Sequence, residues 1–149
     1  MAIISSYPTV VPTADDLLIG TKVTNTGTVI NPTKTFRAGE VVDASLGYTS
    51  YVATITQTGA NPPVATVQKN NTGLTFTWQR ASAGTYLVVP SLNFVVAKTW
   101  VNLTGGDVST PSFLLIKSVT TGDINISNLQ GSLTVDGIGY GAIEIRIYS

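Results

Sequence analysis

A strict alternation of apolar and polar side chains constrains the fold of this chain more than any other feature. In the run LTFTWQR, Leu74, Phe76 and Trp78 share one side of an extended backbone, and the polar residues between them share the other. The final run IEIRIY, residues 143–148, repeats the pattern. Successive side chains of a β-strand point to opposite faces, so a period of two marks a strand with one buried face. Both runs therefore predict strands, with Trp78 in the core.

Further strand-like segments follow at short intervals after residue 45. They cover residues 50–58, 64–69, 85–89, 92–103, 112–119, 123–129 and 132–137. Turn-forming runs such as GANPP and NNTG separate them, at a spacing of roughly 8–12 residues that is typical of sandwiches and barrels. Twenty-three threonines add to the strand preference, because β-branched side chains suit a pleated surface. We predict an all-β fold, with an antiparallel, jelly-roll-like β-sandwich domain over residues 46–149.

Residues 1–45 form a different region, in which prolines and glycines interrupt every apolar run. Two prolines favour an extended chain over residues 1–12, and the segment is too apolar for a solvated tail. We expect an extended arm, followed by short irregular strands, that packs on a neighbouring subunit or, alternatively, on its own domain. The candidate docking and oligomerisation residues of this region are Ile3, Ile4, Tyr7, Val10, Val11, Leu17, Leu18, Ile19 and Phe36.

The run TADDLLIG predicts one short helical turn within this region. Thr13, with Asp16 three residues later, is the kind of pair that satisfies free amide groups at the start of a helix. Gly20 would end the turn. A short strand over residues 21–27 and a second segment over residues 34–43 complete the expected N-terminal region.

Charged residues are scarce throughout the chain. Eight basic and eight acidic residues cancel, and together they make up 11% of the sequence, against about 25% in ordinary soluble domains. Such a surface provides little electrostatic repulsion between copies. We therefore expect much of it to be covered by other copies in a homo-oligomer. A monomer coated in threonine and serine is the alternative.

The residue inventory argues against most enzymes and cofactors. The sequence contains no histidine and no cysteine, which excludes Ser-His-Asp and Cys-His nucleophiles and most zinc and copper sites. The acidic residues are scattered, so no carboxylate pair for glycoside hydrolysis stands out. The runs GGD and TGD at 105–107 and 121–123 resemble turns, because calcium needs six to eight oxygen ligands. We expect no catalytic residue, no metal and no cofactor.

Neither nucleic acid nor a membrane is an expected partner. The basic residues are spread singly along the chain, with no cluster that could displace counterions from phosphates. The longest apolar runs, such as FLLI at 113–116, are far shorter than the ~20 residues of a spanning helix.

Two groups of residues remain as candidates for binding. Arg80 ends the alternating strand, where its stem can lie along Trp78 while its guanidinium reaches solvent or a carboxylate. We expect an ion pair there, within the chain or between subunits. Trp100 and Tyr140 are the candidates for stacking on sugar rings, as aromatic residues do in lectin sites.

Two long stretches resemble structural proteins of tailed bacteriophages. The stretch YPTVVPTADDLLIGTKVTNTGTVINPTKTFRAGEVV, residues 7–42, is similar to an N-terminal module of phage fibre and appendage proteins. The stretch YVATITQTGANPPVATVQKNNTGLTFTWQRASAGTYLVV, residues 51–89, with the ending IEIRIYS, is similar to a β-domain common in phage structural proteins. The shared pattern of that domain includes T-Q, T-W-x-R, a later G-x-Y and a final I-E-I-R.

The resemblance implies a virion component without enzymatic activity. Such proteins are commonly trimeric and serve as head fibres, capsid decorations or tail fibres. The chain has no heptads, no collagen-like repeat and no β-helix repeat, which favours a short appendage or adaptor over a long shaft. The expected partners are other copies of the chain and phage capsid or tail proteins, in a virion assembled in the bacterial cytoplasm. A carbohydrate-binding module for a bacterial surface glycan is the alternative.

Overall fold

The computed structural model of the protein describes residues 13–21, 33–107 and 111–149. The chain divides into two units, residues 1–47 and residues 48–149. The candidate residues Ile3, Ile4, Tyr7, Val10 and Val11, and most of the strand expected over residues 21–27, lie outside the described residues.

A two-stranded hairpin and one short helix make up the described part of the first unit. Strands β1 (Leu17–Thr21) and β2 (Thr33–Arg37) are antiparallel, and helix α1 (Ala38–Ser45) follows β2 directly. No residue of α1 is buried. A two-stranded sheet is marginally stable by itself in water, so the hairpin and helix depend on further packing.

The helical turn expected from Thr13 to Gly20 is wrong. Residues 14 and 15 form a turn, and Leu17–Thr21 is a strand, because every residue of it pairs with a residue of β2. Two backbone carbonyls of this segment nevertheless support a helix that follows later in the chain. The carbonyls of Asp16 and Ala14 accept hydrogen bonds from the amides of Ala38 and Gly39, at 2.8 Å and 3.0 Å, and so satisfy two amides at the start of α1.

Two antiparallel sheets form the second unit. Its strands are β3 (Tyr48–Gln57), β4 (Val64–Asn70), β5 (Phe76–Ser82), β6 (Thr85–Pro90), β7 (Thr99–Gly106), β8 (Phe113–Val119), β9 (Ile124–Gln130), β10 (Leu133–Thr134) and β11 (Ile138–Tyr148). One sheet has the order β4-β3-β11-β7. The other has the order β8-β9-β6-β5, with β10 paired to the end of β9. Hairpins join β3 to β4, β5 to β6 and β8 to β9, and the other connections include crossings between the sheets.

The buried faces of the two sheets form one core. Its members are Tyr51, Ala53, Ile55, Trp78, Tyr86, Val88, Phe94, Leu114, Ile124, Ile126, Ile138, Ile143 and Ile145. Burial alternates along β6 and β11, as expected for strands with one face on a core. The all-β sandwich is therefore confirmed, and Trp78, with 9% of its surface exposed, lies in the core.

The expected strands over residues 92–103 and 132–137 are wrong in part. Phe94 is buried, and its amide donates to the carbonyl of Thr121 at 2.7 Å, which holds this part of the chain outside the sheet. A single 3₁₀ turn, Val96–Lys98, precedes β7. In the second segment only Leu133–Thr134 is a strand, and the Asn128 side-chain amide donates to the carbonyls of Val135 and Gly137 beyond it, at 3.0 Å and 2.7 Å.

The two sides of the sandwich differ in how their edge strands meet. At the end of β7, the Asp107 amide donates to the Ser112 hydroxyl at 3.0 Å, and the backbone beside Ser112 leaves no room for a β-carbon on Gly106. The edges β7 and β8 are therefore in contact. At the other side, an open groove separates β4 from β5.

Candidate functional site

Arg80 forms an ion pair with Asp136, from the loop between β10 and β11. Its Nε donates to Oδ1 at 3.0 Å and its Nη2 donates to Oδ2 at 2.6 Å, a two-point contact in which both side chains are about 23% exposed. The Gly84 amide, in the β5–β6 turn, donates to the same Oδ1 at 2.9 Å. Hydrogen bonding from Arg80, aided by that amide, lowers the pKa of Asp136 to about 2.

Tyr86 and Gln57 extend the hydrogen-bond network of this carboxylate into the core. The Tyr86 hydroxyl lies 3.0 Å from Gln57 Oε1 and 3.2 Å from Asp136 Oδ1, so its single proton has two acceptors. Gln57 Oε1 also accepts from the Gly137 amide at 2.6 Å. Burial, together with the neighbouring Asp136 charge, raises the pKa of Tyr86 well above its ordinary value. This polar network joins one sheet, through Gln57, to the other, through Arg80 and Tyr86.

The chemistry of the polar network is that of a structural link. A carboxylate that stays ionised, a permanently charged guanidinium and a phenol that stays protonated do not exchange protons near neutral pH. Gln57, Arg80, Gly84 and Tyr86 also belong to the T-Q, T-W-x-R and G-x-Y runs of the sequence. These four residues therefore have a folding role in this chain, and Arg80 makes its ion pair within the chain.

A second cluster surrounds Arg146, on the outer face of the sheet β4-β3-β11-β7. Its guanidinium carbon is 4.6 Å from the ring centre of Trp100 and 4.8 Å from that of Tyr48. Its Nε donates to Glu144 Oε1 at 2.7 Å, and this hydrogen bond raises the pKa of Arg146. Tyr148 packs beside Tyr48, with ring centres 5.3 Å apart. We call this the aromatic cluster: Tyr48, Trp100, Glu144, Arg146 and Tyr148.

The two residues predicted to stack on sugars belong to different places on this face. Trp100 is 42% exposed and lies in the aromatic cluster, opposite Arg146 in the ladder. Tyr140 is 62% exposed and pairs with Gly106, six residues along β11 from Arg146. Six strand residues span about 20 Å. The structure therefore does not combine Trp100 and Tyr140 into one site.

The first unit, over residues 13–19 and 35–47, exposes most of its large apolar side chains. Leu17 and Ile19 occupy one face of the hairpin and are 65% and 79% exposed. On the other face, Leu18 is 43% exposed and pairs with the half-buried Phe36. Three side chains of α1 and its end add to this surface: Val41, Val42 and Leu46. We call these residues, with Leu17, Leu18 and Ile19, the apolar surface of the first unit.

The groove between β4 and β5 is the third feature that could bind a partner. It measures about 480 Å³ and is lined chiefly by Tyr51, Ala65, Val67, Phe76 and Trp78. The Trp78 indole N–H and the Tyr51 hydroxyl are 3.5 Å apart at its base. The sequence does not predict this groove, because it forms between the edge strands of two different sheets, and strand order is a property of the fold.

The described part of the chain contains no group of three or more acidic residues positioned to hold a metal ion. Within residues 13–21, 33–107 and 111–149, no helix combines the length and apolarity needed to cross a membrane. Comparison with known proteins found no matching family model, no similar curated protein and no similar solved structure.

Proposed function

We propose that this protein is a non-enzymatic structural subunit of a bacteriophage virion, a short homo-oligomeric appendage that docks through its N-terminal region. Its place would be that of a head fibre, a capsid decoration or a tail-fibre adaptor, and a trimer is the expected assembly. The proposal rests on one structural observation, the apolar surface of the first unit. The resemblance of residues 7–42 and 51–89 to phage appendage proteins supplies the biological setting.

The apolar surface of the first unit supports a docking role because of its density. Six large apolar side chains with 43–79% of their surface exposed occur within one short strand, one helix and the end of that helix. Apolar surface gains about 25 cal/mol per Å² when it leaves water. Leu17 and Ile19 share one face of the hairpin, and exposed apolar patches on soluble proteins commonly mark contact sites. The low charge content, 11%, removes the repulsion that would oppose such contacts.

Labelling of intact phage particles tests this function directly. Gold-labelled antibody against residues 48–149 should bind purified particles from lysates of phage that carry the gene, at the head or at the tail. The Ile19→Asp variant should be incorporated at least tenfold less, because a carboxylate would have to be buried in the contact. Ser132→Asp, at the exposed β9–β10 turn, is the matched control and should incorporate normally. Unlabelled particles, with the chain left in the particle-free fraction, would refute the proposal.

The aromatic cluster favours recognition of a bacterial surface glycan as the second candidate function. Exposed indole faces bind sugar rings. Arg146, which Glu144 binds, lies against the Trp100 ring, and 42% of the Trp100 surface remains exposed. If the cluster binds sugars, Trp100→Ala should abolish binding on an array of host glycans. Tyr140→Ala, a comparably exposed aromatic about 20 Å away on the same face, should leave it unchanged. An absence of binding to any host glycan would eliminate this candidate.

A further inference from the structure

The groove between β4 and β5 exposes side chains that point towards the core. Val67 lies opposite Ala53 in the ladder and so shares its inward face, yet Ala53 is 1% exposed and Val67 is 52% exposed. Phe76, across the groove on β5, is also only partly buried. An apolar side chain that faces inward and remains in water gains free energy when a further apolar group covers it.

Both walls of the groove are edge strands. Among residues 48–107 and 111–149, β4 and β5 each pair with a neighbour on one side only. Edge strands present outward backbone groups that accept an added extended segment. The seven residues of β4 give this wall of the groove a length of about 23 Å. A wall of that length fits an extended segment and is much longer than a single side chain.

Residues 3–11 of this chain have the properties that the groove requires. The segment is uncharged, and none of the described residues that line the groove is charged. Nine extended residues reach about 30 Å, enough to follow β4. Proline fixes φ and lacks an amide proton, so Pro8 favours an extended segment that pairs little with a strand, and side chains would contribute most of the contact. Those side chains are Ile3, Ile4, Tyr7, Val10 and Val11.

We propose that residues 3–11 of one copy occupy the groove between β4 and β5 of a neighbouring copy. The exchanged arm covers Val67 and Phe76, and it links each sandwich to the next one in the assembly. This inference rests on the proposed function, since it requires a homo-oligomer. It adds the partner segment and the surface that receives it.

Cross-linking between two singly substituted full-length chains tests the exchange. The natural chain has no cysteine, so Ile4→Cys and Val67→Cys each introduce the only thiol of their chain. Co-expressed with tags of different mass and mildly oxidised, the two variants should form a mixed disulfide between copies. Leu115→Cys replaces Val67→Cys in the matched control, because it lies on another edge strand with similar exposure, 46% against 52%. The control should give at least tenfold less cross-link to position 4.

The doubly substituted chain, Ile4→Cys with Val67→Cys, identifies the other possible occupant. A disulfide formed only within one chain would overturn the exchange and place the arm on its own domain. Equal cross-linking to positions 67 and 115 would also overturn it. An oligomer that persists with no disulfide between positions 4 and 67 refutes the groove and leaves the proposed function standing. A monomeric chain without cross-links refutes both.

Discussion

At the residue scale, Asp136 holds together parts of the chain that are far apart in sequence. Four hydrogen bonds converge on its carboxylate, two from Arg80 and one each from Gly84 and Tyr86. Tyr86 and Gln57 extend this contact from the loop to the core. Each hydrogen bond to a charged group contributes about 1.5–3 kcal/mol to stability. The Asp136 side chain therefore contributes a large part of the free energy of unfolding that is typical of a domain.

Asp136→Asn should destabilise the sandwich by about 2 kcal/mol at pH 7, because it removes the charge that Arg80 and Gly84 bind. The pKa of Asp136 is about 2 in the folded chain, below its unfolded value of about 3.9. Its contribution is therefore complete above pH 4 and lost as the pH falls from 4 towards 2. Urea unfolding followed by tryptophan fluorescence should show a wild-type advantage that shrinks to a few tenths of a kcal/mol by pH 2.

Asp123→Asn is the control for this pH dependence. The Asp123 carboxylate accepts from the Thr120 hydroxyl at 2.9 Å in an exposed turn, so its replacement should change the free energy of unfolding by no more than about 0.5 kcal/mol. A difference between wild type and Asp136→Asn that is independent of pH would contradict the role assigned to the Arg80–Asp136 pair.

At the element scale, the β5–β6 turn is fixed by its contact with the loop before β11. Gly84 has φ of +62°, and a β-carbon there would overlap the backbone of Val135. The backbone amide of Asn128, in β9, donates to the Gly84 carbonyl at 2.8 Å, so β9 also contacts this turn. Only glycine combines this backbone conformation with so close an approach.

Gly84→Ala should therefore cost much more than a glycine replacement at an open turn. Gly131, in the β9–β10 turn, has nearly the same φ of +61° and open space around it. Gly131→Ala carries only the backbone strain, about 1 kcal/mol. Gly84→Ala adds overpacking and should lose about 3 kcal/mol or more. Thermal unfolding of both variants measures the difference, and equal losses would contradict the close packing of this turn.

The elements differ in how far their sequences predict them. Strands β5 and β11 follow from the alternation of residues 74–80 and 143–148, a local property that packing preserves. The β1 strand does not, because pairing with β2 overrides the capping signal at Thr13. The same limit applies to the sites. Arg80 indicates an ion pair, but its partner Asp136 lies 56 residues away and becomes identifiable only from the fold.

At the scale of the whole molecule, the two units satisfy their apolar residues in different ways. The sandwich encloses a core of its own, with residues such as Ile145 fully buried. The first unit leaves Leu17, Ile19 and Val42 more than half exposed. The groove at β4 and β5 adds inward-facing surface that the second unit does not cover. We propose that copies of the chain or other proteins cover both surfaces, because apolar surface gains free energy when it leaves water.

The mass of the full-length chain in solution tests this central claim most directly. Sedimentation equilibrium at micromolar concentration should give three times the chain mass of 15.6 kDa. Ile19→Asp combined with Val42→Asp should weaken the assembly at least tenfold, about 1.4 kcal/mol, while Ser132→Asp leaves it intact. A single species of 15.6 kDa at every concentration, unchanged by these substitutions, would contradict the account.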